Sequence, residues 1–362
     1  SGKSFSSQLT FLRQLMRDDD VMLVMLDPLR GFEALNDALG GKRIVVAGDI
    51  GLNPLDIRQP PAAFLDRIDA TVNPYTAKLQ DVRAFFEMFY AIRGKRLDHL
   101  WGILERAVKE AYAAKDITAD PGTHDNPSPT IQDVIDHLAD VADRGEEASV
   151  SASREETRIR REHAAQLLID FEPFQSGGEL ENLARPTEID LTDETVVYLD
   201  LQQQEGRGAT GLMMQLLFMA VYEQAKQSPR KMIFAIDESH YITKNATNLQ
   251  FLEQAVRHSR HYDLSIQFIT QTIDEFLEHP AAEAILQQTS IKQLHRIENL
   301  TDDLAGLLGL NQQQAAFVRN ATPGNTDLGY SEALVQIGDQ GWWPINVVAN
   351  DLETRVLNAA ME

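Results

Sequence analysis

The sequence predicts an α/β fold: a mostly parallel sheet flanked by helices, interrupted by an inserted helical subdomain. Three observations predict it. Short, almost wholly apolar runs recur along the chain and stop at acidic or turn-forming residues, as strands buried on both faces do. Stretches of helical periodicity separate those runs, and parallel strands need such crossovers. A long tract with helical apolar faces lies between the second and third strand-like runs.

Taken in order, Ser1 to Ser4 read SGKS and lead into a helical pattern through Phe5, Leu9, Leu12 and Leu15. Val21 to Leu26 (VMLVML) is a continuous apolar run ending at Asp27-Pro28, and Ile44 to Ala47 is a shorter one. Gly51 to Asp56 reads as a turn. From about Thr76 to Leu168 the period is helical, with Phe85, Phe86, Phe89 and Tyr90 on one face and Trp101, Leu104 and Val108 on another. Two breaks interrupt it: Asp116 to Thr130, rich in turn formers, and Arg144 to Arg161, highly charged and poor in large apolar residues. Strands return at Thr195 to Leu199, Met232 to Ile236 and Leu264 to Thr270, with helix between, for example over Gly211 to Gln227. Ile291 opens a further strand, and Leu334 to Ile337 and Ile345 to Val348 read as late, exposed ones. The expected organisation is therefore residues 1–75 as the first part of a core, 76–170 as the helical insertion, and 171–362 as the rest of the core with its C-terminal strands.

Composition narrows the function. With 362 residues, 43% of them hydrophobic, the chain can bury a substantial core in one large or two medium domains. No run of about twenty apolar residues occurs, so no segment is expected to span a bilayer. The absence of cysteine excludes disulfides and thiolate metal sites. The net charge of −22, from 55 acids against 33 bases, predicts a solvated acidic surface of the kind a high-salt host favours. It argues against a broad nucleic-acid footprint, which needs a basic face, and leaves room for a local basic pore loop in an oligomer.

The chemistry is concentrated at the strand ends. A phosphate-binding loop is a glycine-rich turn between strand and helix, whose backbone N–H groups and helix N-terminus face the phosphates. Gly2, Lys3 and Ser4 match its last three positions: lysine for the β- and γ-phosphates of ATP, serine hydroxyl for Mg²⁺, and Phe5 opening the helix. The loop's first glycine and its strand are expected upstream of Ser1. GKS is short and recurs by chance, so the second half of the site decides. Met232 to Glu238 reads MIFAIDE, an apolar strand ending in two carboxylates at the edge of the sheet where ligands sit. Asp237 suits the Mg²⁺ shell, and Glu238 suits the water that attacks the γ-phosphate. Gln271, at the tip of the next strand, suits a γ-phosphate sensor. Arg257 and Arg260 share a helix face, as a solvated helix end or as arginines supplied to a neighbouring subunit's nucleotide, with Arg296 as a rival. The nine histidines show no metal-ligand spacing, and Trp342-Trp343-Pro344 reads as packing.

In this order the motifs resemble the C-terminal motor domain of conjugative and type IV secretion ATPases, the TraC/TrbE-like branch of the HerA–FtsK superfamily. The resemblance covers nearly the whole chain. It rests on GKS, Val21 to Pro28, Asn53-Pro54-Leu55-Asp56, Phe174 to Leu183 with Pro186-Thr187, Ile236 to Ser239, Arg257 to Gln271, and Gly329-Tyr330-Ser331-Glu332-Ala333-Leu334. His258 stands where this branch often has lysine, and Ser239-His240 where an aromatic or alanine usually follows the acidic pair. The resemblance implies a RecA-like P-loop NTPase core and a homo-hexameric ATPase that uses ATP and Mg²⁺. It also implies a cytoplasmic position, peripheral to the inner face of the membrane, where such ATPases meet the channel proteins that move DNA or protein. Two other functions fit the same residues: a HerA-like DNA translocase for processing or packaging, and a nucleotide-binding assembly scaffold without turnover.

Overall fold

The computed structural model describes residues 2–46, 50–59, 73–144, 154–201, 207–243, 246–271, 273, 280–324 and 329–359. Ala47 and residues 145–153 of the charged break lie outside them.

Helix α1 (Gly2–Arg17) buries Leu9, Phe11 and Leu12, and leads into β1 (Val21–Asp27), buried along its whole length. The short α2 (Glu33–Ala38) and β2 (Lys42–Val45) follow. Among the described residues, four α-helices lie between β2 and the next strand: α3 (Pro74–Ile92), α4 (Trp101–Ala114), α5 (Ile131–Arg144) and α6 (Arg154–Asp170). Helix α3 starts where it does because Asn73 accepts from the backbone N–H groups of Tyr75 and Thr76, while Pro74 fills a position that needs no N–H. After β3 (Val196–Asp200) come α7 (Arg207–Ala225), β4 (Lys231–Ile236), the single turn α8 (His240–Thr243), α9 (Ala246–Ser259) and β5 (Leu264–Phe268). The chain continues through α10 (Pro280–Gln288), β6 (Ile291–Leu294), α11 (Asp302–Leu307), α12 (Gln312–Asn320), β7 (Ser331–Ile337), β8 (Trp342–Val347) and α13 (Asp351–Ala359).

Five strands form one parallel sheet in the order β2-β3-β1-β4-β5. The late strands do not extend it. They make a separate antiparallel sheet, β6-β7-β8. Because side chains alternate along a strand, β1 serves two cores at once. Met22, Val24 and Leu26 join a large cluster with Phe218 and Phe234, and the same cluster takes in Phe85, Phe86, Phe89, Phe171 and Phe174 of the inserted tract. Leu23 and Met25 face a second cluster with Leu9 and Phe11 of α1, Phe32, Tyr198 and Val347. A third, small cluster backs the antiparallel sheet, with Leu294, Leu334 and Trp342 among its members.

The Asn-Pro-Leu-Asp turn is a fastener between these parts. The Asn53 side chain donates to Asp56 and to the Pro129 carbonyl, and accepts from the Leu55 N–H. Its backbone N–H donates to the Thr187 hydroxyl, and Tyr112 of α4 donates to the Leu55 carbonyl. Nearby, buried Glu223 of α7 accepts from Lys226 at 2.6 Å and from the Arg58 N–H, with Lys78 of α3 4.0 Å away. Burying these charges is tolerable only because each has an opposite partner.

Candidate phosphate-binding site

Gly2-Lys3-Ser4 forms the first turn of α1, where backbone N–H groups lack intrahelical acceptors and the helix dipole favours an anion. The other half of the site comes from the parallel register. Leu26 pairs with Ile236, and Asp27 with Asp200, so the ends of β3, β1 and β4 bring Asp200, Asp27 and Asp237 to one edge. The Asp237 N–H donates to the Leu26 carbonyl and the Ser239 N–H to the Ile269 carbonyl, which extends the ladder past the last strand residue. Glu238 then turns at φ 48°, a left-handed conformation that costs a non-glycine residue energy and is retained mostly where a site needs it.

Lys3 lies between the two acids: its Nζ is 3.7 Å from Asp237 Oδ1 and 3.9 Å from Glu238 Oε1. Glu238 also accepts from Gln271 Nε2 at 2.5 Å and has His240 Nδ1 3.1 Å from its other oxygen. Burial pushes the Asp237 carboxyl up to about 6, a rise that Lys3 opposes and Asp27 reinforces. Asp27 is fully buried and accepts from the N–H groups of Leu29 and Phe32, so it holds the loop after β1; burial raises its carboxyl too. Asp200 is engaged by Arg43, with Arg30 Nε 3.6 Å away. Lys3 Nζ and Asp237 Oδ1 are buried and, among the described residues, have no hydrogen-bond partner. Their ion pair is longer than a hydrogen bond, and buried polar atoms rarely stay unsatisfied. Such a cation at a helix N-terminus fits a phosphate chain, and the open carboxylate oxygen fits the water shell of Mg²⁺, with the hydroxyl of Ser4 on the same first turn as Lys3.

The predicted residues divide accordingly. Lys3, Asp237, Glu238 and Gln271 come together, with Gly2 and Ser4 beside them. Phe5 packs against the second core cluster, so its contribution at the helix start is its backbone. Arg257 and Arg260 do not join them. They lie at the opposite edge of the sheet, where Asp263 leads into β5 and accepts from the Met232 N–H. Arg257 is ion-paired with Glu253, and Arg260 sits in a one-turn 3₁₀ helix. Arg296, just past β6, is 3.0 Å from Glu298. Sequence reasoning missed His295 and Ser331, which adjoin Gly2, and also Asp200 and His240. For Ser331 a signal existed: it falls inside the Gly-Tyr-Ser-Glu-Ala-Leu segment.

A parallel sheet with a phosphate-type helix N-terminus on one side and a strand-end acid pair on the other is the RecA-like P-loop NTPase core, and this chain has that fold. VirB4 of Thermoanaerobacter pseudethanolicus overlays on it with a TM-score of 0.76 and 21% identity, over 98% of this chain and 88% of VirB4. The bacterial conjugative coupling protein TrwB, as its ΔN70 form, overlays less closely, with a TM-score of 0.46 and 15% identity over 92% of this chain and 86% of that TrwBΔN70 chain. No family model matches the sequence, and neither does any curated protein. No helix among the described residues is long and apolar enough to cross a membrane.

Proposed function

We propose that the chain is an ATP-hydrolysing motor domain of the conjugative and type IV secretion class of the HerA–FtsK superfamily. The observation that carries this reading is the convergence of Lys3 with Asp237 and Glu238 at the N-terminus of α1, from opposite halves of the chain. The VirB4 likeness over nearly the whole chain supports the choice of class.

In this reading Lys3 leaves the acid pair and binds phosphate oxygens, as the helix N-terminus does. Ser4 and Asp237 hold Mg²⁺, which neutralises phosphate charge when bound. Glu238 orients the attacking water and takes its proton. Gln271 fixes the Glu238 carboxylate through its amide and reaches the γ-phosphate side of the site. Arg257 or Arg260, turned away from the chain's own site, serves the adjacent subunit of a homo-hexamer. The assembly works at the inner face of the membrane with channel proteins, moving DNA or protein.

The test is nucleotide affinity in a chain that carries the complete phosphate loop. Lys3→Ala should weaken Mg·ATP binding by about tenfold or more, the loss of a charge-assisted contact. Equal affinity in the two proteins, by fluorescence titration, would remove the basis of the reading.

A further inference from the structure

The small antiparallel sheet reaches into the phosphate site from the far end of the sequence. A Cβ built on Gly2 would lie 3.0 Å from both Cβ and Oγ of Ser331 and 3.4 Å from His295 Nδ1. Ser331 opens β7 and is 2% exposed, while His295 follows β6. Ser331 Oγ and His295 Nδ1 are both buried and have no hydrogen-bond partner among the described residues. Gln293 joins this wall to α1. Its amide nitrogen is 2.6 Å from Ser6 Oγ and 3.0 Å from His295 Nε2. Nε2 therefore accepts from the Gln293 amide, a direction assigned from the hydrogen-bond network, which puts the proton of the neutral ring on Nδ1. Burial and the nearby Lys3 push the His295 imidazolium down to about 4, so the ring is neutral at ordinary pH. The wall therefore presents two unsatisfied donors, an imidazole N–H and a hydroxyl, beside an unsatisfied ammonium. Such a set suits an anionic oxygen.

We propose that His295 and Ser331 donate to the phosphate chain of the bound nucleotide, so that the β6-β7-β8 sheet supplies one wall of the nucleotide site. This rests on the nucleotide reading above. His295 and Ser331 would be binding residues, and Gln293 a positioning residue that sets the tautomer of His295.

The experiment compares Mg²⁺ with a non-hydrolysable ATP analogue on the wild type and on His295→Ala, Ser331→Ala and His295→Asn, in a chain with the complete phosphate loop. Each alanine variant should lose about tenfold in analogue affinity, the effect of removing one hydrogen bond to a charged group. His295→Asn, whose amide nitrogen replaces Nδ1–H, should recover most of the loss. In the wild type, the His295 Nδ1–H proton should become visible and shift downfield by NMR only when the analogue is bound. Unchanged affinity in both alanine variants, or an Nδ1–H signal indifferent to the analogue, would overturn the proposal and leave the nucleotide reading standing. An affinity loss that asparagine does not recover would assign His295 a packing role and overturn its part. A wild type that binds no analogue would overturn both.

Discussion

Glu238→Gln should lower ATP turnover by about 10²–10⁴-fold, the usual worth of a positioned general base, and leave nucleotide affinity near the wild-type value. The substitution keeps the shape and removes the charge. Glutamine still accepts the Gln271 amide proton through its carbonyl oxygen, so the 2.5 Å contact that fixes the side chain has a substitute. What it cannot do is take a proton. The left-handed turn at Glu238 belongs to the backbone, and the variant inherits it unchanged. Steady-state phosphate release and analogue binding, measured on one preparation, separate the two effects. Wild-type turnover in the variant would transfer the role to another group.

Phe86→Ala should destabilise the chain by about 3–5 kcal/mol, the range for truncating a buried aromatic. Phe86 is fully buried on α3. Its ring stacks on Phe171 at 5.2 Å between centroids and meets Phe85 edge-on at 5.0 Å. These rings belong to the same apolar cluster as Met22, Val24 and Leu26 of β1 and Phe234 of β4. The inserted helices and one face of the sheet therefore share a core, and the loss should appear as one cooperative shift rather than the early melting of a separate unit. Urea unfolding followed by tryptophan fluorescence and far-ultraviolet circular dichroism checks this. Coincident, lowered transitions are expected, and a second transition confined to one probe would show that the helices unfold by themselves.

Much of this structure is legible in the residues, for identifiable reasons. Strands β1 and β4 are sandwiched between helical layers, so VMLVML and MIFAI are apolar without interruption and stop at the buried acids of the strand ends, Asp27 and Asp237. Helix α3 shows its face because four aromatics recur at helical spacing. The second sheet is much fainter. In β8 four consecutive residues from Trp343 to Asn346 are exposed, which erases the alternation. Pro344 is tolerated there because β8 is an edge strand. The tandem tryptophans also part company: Trp342 donates to the Leu308 carbonyl from a buried position, while Trp343 is 60% exposed.

The site divides along similar lines. Lys3, Asp237, Glu238 and Gln271 are readable because their chemistry demands fixed residue types at strand and helix ends. His295 is not, since a lone histidine acquires meaning only from a neighbour, and Ser331 is signalled only by its place in Gly-Tyr-Ser-Glu-Ala-Leu; the neighbour of both is Gly2. Nothing local in the chain sets that contact. It depends on where the β6-β7-β8 sheet docks. The turn at Asn53 shows the converse: a distinctive motif whose hydrogen bonds fasten the inserted helices to the core.

The most direct measurement is a crystal structure of a chain carrying the complete phosphate loop, grown with Mg²⁺ and a non-hydrolysable ATP analogue. The account predicts a triphosphate seated on the N-terminus of α1, Lys3 Nζ moved from Asp237 onto phosphate oxygens, and Glu238 facing the γ-phosphate. An analogue bound at another edge of the sheet, with Lys3 still paired to Asp237 and Glu238, would contradict it.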